Sequence, residues 1–216
     1  MTEQSGARRP RFGIGVRWLI VIVVLVAAVV VAVWPRGNGT QSQASPAIPI
    51  PTPDITTARV QAALTPCPTA TEVAHTALTS VTVNCAATGS SVPFGSVLDP
   101  NGPTLVNVWA FWCTECRTEL PVLEQYAATQ GAVRVITLMV QSPEALGLQT
   151  LAGLHVHLPT VVDLDGAASK ALKLPIGLPA SYLVRPDGTA SLIDSLRTFD
   201  TVDEVRTAVG VARGGQ

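Results

Sequence analysis

The hydrophobic positions of this chain fall into three regimes. From Trp18 to Trp34 every residue is apolar, a run of 17. As a helix it rises about 26 Å, near the lower limit for crossing a bilayer. Residues 35–57 are rich in Pro, Gly, Ser, Thr and Gln, and read as a flexible to polyproline-like tether. From residue 58 to 213 short apolar runs alternate with helical periodicity, over enough chain to bury one substantial core.

Within that last regime the pattern predicts short strands at 80–84 and 90–94 and a turn at Asp99-Pro100-Asn101-Gly102. Buried strands follow at 105–110, 133–140 and 160–163. Strands at 181–185 and 189–195 flank Pro186-Asp187-Gly188, a hairpin signal. Helices are expected at 69–78, 117–130, 143–154, 167–174 and 201–213, the last carrying Val202, Val205, Val209 and Ala212 on one face. The order strand-helix-strand-helix-strand-strand-helix, with an insertion before the third strand, predicts an α/β fold. Its central mixed β-sheet would be flanked by helices on both faces.

Charge orients the first regime. Arg8, Arg9, Arg11 and Arg17 precede the apolar run and only Arg36 closely follows it. The positive-inside rule therefore makes 1–17 a cytoplasmic basic tail, 18–34 a transmembrane helix, 35–57 a linker and 58–213 an extracytoplasmic domain. A cleaved signal peptide has the same polarity. The exit Ala32-Val33-Trp34-Pro35 is a poor cleavage site, so a retained anchor is the favoured reading. No Cys follows the span at a lipoprotein position.

Of the 14 basic and 15 acidic side chains, five arginines and Glu3 lie at or before Arg36, which leaves nine basic and 14 acidic beyond it, a formal charge of −5. That balance disfavours nucleic acid and anionic lipid as partners. All four cysteines lie beyond the span, in a context that permits disulfides.

Trp112-Cys113-Thr114-Glu115-Cys116 carries the chemistry. It follows an apolar strand and opens a helix, so the two thiols are close enough to join, and helix-terminal N–H groups and the dipole stabilise a thiolate there. The favoured reading is disulfide exchange, with Cys113 as nucleophile and Cys116 as resolving thiol. A zinc half-site or a plain structural bridge is the competing reading, weakened because a lone Cys-x-x-Cys lacks its second ligand pair. No metal or organic cofactor is required, since the cysteines carry the electrons.

The segments Val106-Asn107-Val108-Trp109-Ala110-Phe111-Trp112-Cys113-Thr114-Glu115-Cys116-Arg117-Thr118-Glu119-Leu120-Pro121 and Gly177-Leu178-Pro179-Ala180-Ser181-Tyr182-Leu183-Val184 resemble the thioredoxin superfamily, and more narrowly its membrane-anchored TlpA/ResA/DsbE-like thiol-disulfide oxidoreductases. The resemblance implies a thioredoxin-like three-layer fold over residues 91–212. It matches Pro121 to the proline that kinks the active-site helix and Pro179 to the cis-proline loop beside the cysteine pair. Leu178 would then turn its backbone toward an incoming extended polypeptide, and Trp112 would shape the apolar rim.

Asn107 stands where cytoplasmic thioredoxins carry a buried Asp. Glu119 matches an acidic position of this branch, three residues past the second Cys, and would take over proton handling at Cys116, with a solvated or helix-capping carboxylate as the alternative. Thr114-Glu115 departs from the Gly-Pro or Glu-Pro of most relatives. A carboxylate at Glu115 disfavours the Cys113 thiolate, which points to a reductant or a mild exchanger. Exported proteins would be the substrates, and a membrane thiol carrier the electron donor.

Cys67 and Cys85 are read as a structural disulfide; a regulatory or electron-relaying pair, and a zinc site shared with the active pair, are the alternatives. His155 and His157 are read as surface or loop histidines rather than metal ligands, and Asp163-Leu164-Asp165-Gly166 as a turn rather than a calcium loop. From other function classes, a non-catalytic scaffold with a locked Cys113-Cys116 bridge is kept as the alternative. A peroxiredoxin-type peroxidase is disfavoured because its isolated Cys with upstream Thr and Pro is missing.

Overall fold

The computed structural model describes residues 14–33, 54–70, 77–193 and 198–214. The chain divides into two units, Met1–Ile50 and Pro51–Gln216. In the first, α1 (Ile14–Val33) is a 20-residue helix on which Trp18, Leu19, Val24 and Leu25 are exposed. Among the described residues no helix is long and apolar enough to cross a membrane. Within α1 the side chains of residues 14–17, 20, 28 and 30–33 lie outside the described set. Most of the basic tail and of the tether also lies outside it.

The second unit is built on a seven-stranded mixed sheet in the order β2-β1-β5-β4-β3-β6-β7. Its strands are β1 (Thr82–Cys85), β2 (Ser91–Pro93), β3 (Thr104–Trp109), β4 (Arg134–Val140), β5 (Thr160–Asp163), β6 (Ala180–Val184) and β7 (Ala190–Leu192). β3, β4 and β5 run parallel, while β6 lies antiparallel to β3. Every residue of β3 is buried, as continuous apolar runs require when both faces of a sheet are covered.

Alternation along β3 separates the two faces. Leu105 and Trp109 join α2 (Ile55–Ala62), α3 (Thr114–Ala127), α4 (Glu144–Leu154) and α6 (Val202–Gly214) in one core, through residues such as Ala58, Leu120, Leu148 and Val205. Val106 and Val108 face a second core closed by Leu78, a 3-10 turn at Phe94–Val97 and α5 (Ala167–Ala171). Both faces are thus covered, the second by much less helix than the first.

The structure refines several expected boundaries. The tether was expected to reach residue 57, yet α2 begins at Ile55, where the Asp54 side chain accepts the Thr57 N–H at 2.8 Å. It is held from outside as well: Arg59 reaches Glu144 at 2.7 Å and the Ala86 carbonyl at 3.2 Å. The helix expected to reach residue 174 ends at Ala171, because Lys173 adopts a left-handed φ of 53°. Residues 77–80 form a turn rather than the end of a helix, and 71–76 of that expected helix lie outside the described residues, as does Ser195 at the end of the last expected strand.

Candidate active site

The cysteine pair sits where β3 hands over to α3. The chain leaves the buried end of β3 at Trp109, turns through Phe111 and Trp112, and enters the helix with Cys113 as its N-cap. Cys113 and Cys116 are disulfide-bonded, with Cα atoms 5.3 Å apart. The Cys113 Sγ accepts the Cys116 N–H at 3.1 Å. One of the helix's otherwise unsatisfied donors therefore points at the first sulfur, which is also where the positive end of the helix dipole lies. Cys113 keeps 4% of its surface and Cys116 none. The thiol window is narrow.

Trp112 stands beside that window, 54% exposed. Its ring is anchored, because Nε1 donates to the Gln141 carbonyl at 3.2 Å. The Phe111 N–H donates to the Ser142 Oγ at 3.1 Å. Gln141 adopts a left-handed φ of 47°, so the loop that ends β4 turns sharply where it meets the active-site turn.

One helical turn into α3, Glu119 is fully buried. Its Oε2 accepts the Asn107 Nδ2 at 2.8 Å, and its Oε1 accepts the Phe199 N–H at 3.3 Å. Desolvation dominates over these two bonds and, with a small contribution from the Asp200 charge, pushes the carboxyl up to about 7. Glu119 lies three residues beyond Cys116, on the same helical face. A carboxyl in that range takes or gives a proton near neutral pH.

The Leu178-Pro179 peptide is cis. Val108 pairs with Ala180, so Pro179 stands one step further along, beside the end of β3 from which the cysteine turn departs. Leu178 is half-buried and packs against both cores. The structure thus brings Trp112, Cys113, Cys116, Glu119, Leu178 and Pro179 to the active-site helix and the end of β3 that leads into it.

Cys67 and Cys85 lie elsewhere. They are bonded to each other with Cα atoms 5.9 Å apart. Cys67 packs against the second core, whereas Cys113 and Cys116 belong to the first, so the sheet separates the two disulfides. His155 ends α4, and His157 Nδ1 stands 3.0 Å from the Ala62 carbonyl. Asp163 accepts the N–H groups of Ala168 and Ser169, at 3.1 and 2.9 Å, and so closes the turn into α5. Among the described residues no group of three or more His, Cys, Asp or Glu is placed to hold a metal.

Sequence reasoning missed three parts of the site: Ser181, the Phe199 N–H, and the Gln141-Ser142 loop that holds the cysteine turn. Each arrives from a distant element. The one available signal was the polar Asn107 inside a buried strand, which requires buried partners.

Comparison with known proteins agrees with this geometry. The thiol:disulfide interchange protein DsbE of Pseudomonas aeruginosa is 36% identical over 87 residues, 40% of this chain and 47% of that protein. The thiol-disulfide oxidoreductase ResA of Oceanobacillus iheyensis is 22% identical over 102 residues, 46% of this chain and 53% of that protein. The chain spans about half the length of the curated relatives it matches. Among solved structures, a secreted Mycobacterium tuberculosis disulfide oxidoreductase homologous to E. coli DsbE superposes with a TM-score of 0.54 at 23% identity, covering 64% of this chain and 99% of that one. At that identity the likeness establishes the thioredoxin-like fold. The model of the AhpC/TSA family matches residues 76–192, just over half of the sequence, and the chain therefore belongs to the AhpC/TSA family.

Proposed function

We propose that this protein is a membrane-anchored thiol-disulfide oxidoreductase whose Cys113-Cys116 pair exchanges disulfides with exported proteins. The observation that carries the proposal is the juxtaposition in α3: a sulfur at the helix N-cap receiving the Cys116 N–H, and a buried carboxyl at about 7 three residues beyond Cys116. A purely structural bridge needs neither. Relatives named as thiol:disulfide interchange proteins support the same chemistry.

In the reducing direction the Cys113 thiolate attacks one sulfur of a partner disulfide. A Cys113–partner bond forms, the partner's own S–S bond breaks, and its other sulfur leaves as a thiolate that takes up a proton. Cys116 then passes its proton to Glu119 and attacks the Cys113 Sγ, closing the Cys113-Cys116 bond and releasing the second partner thiolate. The partner gains two electrons and the pair loses two. Trp112, Leu178 and Pro179 form the surface that receives the partner strand, and a membrane thiol carrier returns the pair to the dithiol. Glu115, exposed beside the N-cap, disfavours a thiolate at Cys113 and so favours a reductant or mild exchanger over a strong oxidant.

The anchor rests on the sequence alone: the 17-residue apolar run from Trp18 to Trp34, preceded by four arginines. It leaves residues 58–213 outside the cytoplasm with Cys67-Cys85 as a structural bridge. Insulin reduction in the presence of dithiothreitol tests the activity. Turnover above background that Cys113→Ser abolishes supports exchange, and background turnover alone supports a scaffold with a locked bridge. A peroxidase is the competing chemistry for a reactive cysteine, so peroxide consumption is measured alongside; consumption in place of insulin reduction assigns the peroxidase reading.

A further inference from the structure

β3, β4 and β5 run parallel and β6 runs antiparallel to β3, so the ends of the first three and the start of β6 lie at one end of the sheet, in the order β5-β4-β3-β6. The cysteine turn rises from that end. It leaves β3 and leans over β4, where the Trp112 indole donates to the Gln141 carbonyl. On its β5 side stands Leu164, the first residue beyond that strand and 66% exposed. On its β6 side stands Ile176, wholly exposed in the segment that leads into β6. With Trp112 they make three of the six large apolar side chains exposed among the described residues of the second unit; the other three lie on α2, β7 and α6.

Neighbouring strands stand about 4.8 Å apart, so β5 and β6, three spacings from each other, set Leu164 and Ile176 on the order of 14 Å apart with the cysteine turn between them. An extended chain advances about 3.4 Å per residue and turns alternate side chains to the same side. The positions two before and two after a cysteine therefore also lie about 14 Å apart, and they point the same way as its sulfur.

We propose that Leu164 and Ile176 are specificity-determining residues of the exchange site, which selects extended segments of exported polypeptides carrying apolar side chains two positions before and two positions after the reacting cysteine. The inference rests on the proposed exchange at Cys113, and continuity with that site identifies the occupant. Cys113 keeps 4% of its surface, so a partner sulfur reaches it only on a chain thin enough to lie against this end of the sheet. A small thiol is too short to touch either flank. A strand crossing from the β5 side to the β6 side covers both, and the motif is symmetric, so either strand direction satisfies it. One exposed apolar side chain is ordinary; a pair astride a nearly buried sulfur leaves water only when such a strand is in place.

The test uses the full chain carrying Cys116→Ser in lipid nanodiscs, with two short isomeric peptides, each supplied as its disulfide-linked dimer. One has leucines two positions from the central cysteine on either side, the other has the same leucines adjacent to it, on an otherwise identical background of Gly and Ser. The Cys113 thiolate attacks the dimer, a Cys113–peptide bond forms, the peptide disulfide breaks, and one peptide leaves as a thiol. Adduct formation is followed by mass, and each rate is divided by that peptide's rate with glutathione. The first isomer reacts about tenfold faster than the second; Leu164→Ser and Ile176→Ser each cut that preference about threefold, and together they remove it. Equal rates for the two isomers in the starting protein overturn the proposal and leave exchange intact. A preference that survives in the double variant also overturns it, and a changed sedimentation of the same particles then assigns the row to a second copy of the chain. If neither isomer forms an adduct, the exchange reading falls and the docking surface falls with it.

Discussion

Glu119 concentrates the site's electrostatics in one residue. Burial pushes its carboxyl up to about 7 in the fold, against the ordinary 4.5 of the unfolded chain. A carboxyl raised by folding binds its proton more tightly in the native state, so its contribution is fully present below about 4.5 and is lost as pH rises through about 7. The window lies between those two values, and the full loss is of order ~3 kcal/mol. Denaturant unfolding of the oxidised protein should therefore show stability falling from pH 5 to pH 8, and Glu119→Gln should remove most of that slope. A Gln variant with the wild-type slope contradicts the buried-carboxyl account.

At the scale of elements, β3, β4, β5 and α3 to α6 were legible because periodicity reports burial, and these elements bury one stripe or both faces of a sheet. α2 was not. Its buried contacts are only Ala58 and Ala62, too small to stand out after a proline-rich segment, and what holds it is a cap and an ion pair with Glu144, 85 residues away. The candidate site divides the same way. The Cys pair, Glu119 and Pro179 are marked by contiguous motifs; Ser181 lies on the same motif as Pro179, but its contact with Asn107, like the contacts of Phe199 and Gln141, comes from sheet pairing and loop packing that no local pattern encodes. The Cys67-Cys85 bridge belongs to this scale too. It closes a loop over a sequence separation of 18 and ties the segment after α2 to β1. Replacing both cysteines with serine should cost about 3 kcal/mol of stability by the loop-entropy argument. Because the sheet separates this bridge from the active pair, insulin reduction by the folded double variant should match wild type. A large loss of turnover at full folding would revive the electron-relay reading.

The whole molecule joins an apolar helix to an acidic redox domain through a proline-rich segment. The proposed function would set exchange at a membrane surface, with a thiol carrier in the bilayer as electron donor. The intact chain should sediment with membranes, resist extraction by high salt and be released by detergent. Recovery of a soluble species beginning near Val33 would identify the segment as a cleaved signal and remove the anchor from the account.

The central claim is that Cys113 attacks and Cys116 resolves, and trapping in the cell tests it most directly. Cys113 caps the helix and receives the Cys116 N–H, while Cys116 is wholly buried. Cys116→Ser should accumulate mixed disulfides with exported proteins that run as higher-mass species on non-reducing gels and disappear on reduction, and Cys113→Ser should accumulate none. Adducts on Cys113→Ser with none on Cys116→Ser would contradict the account.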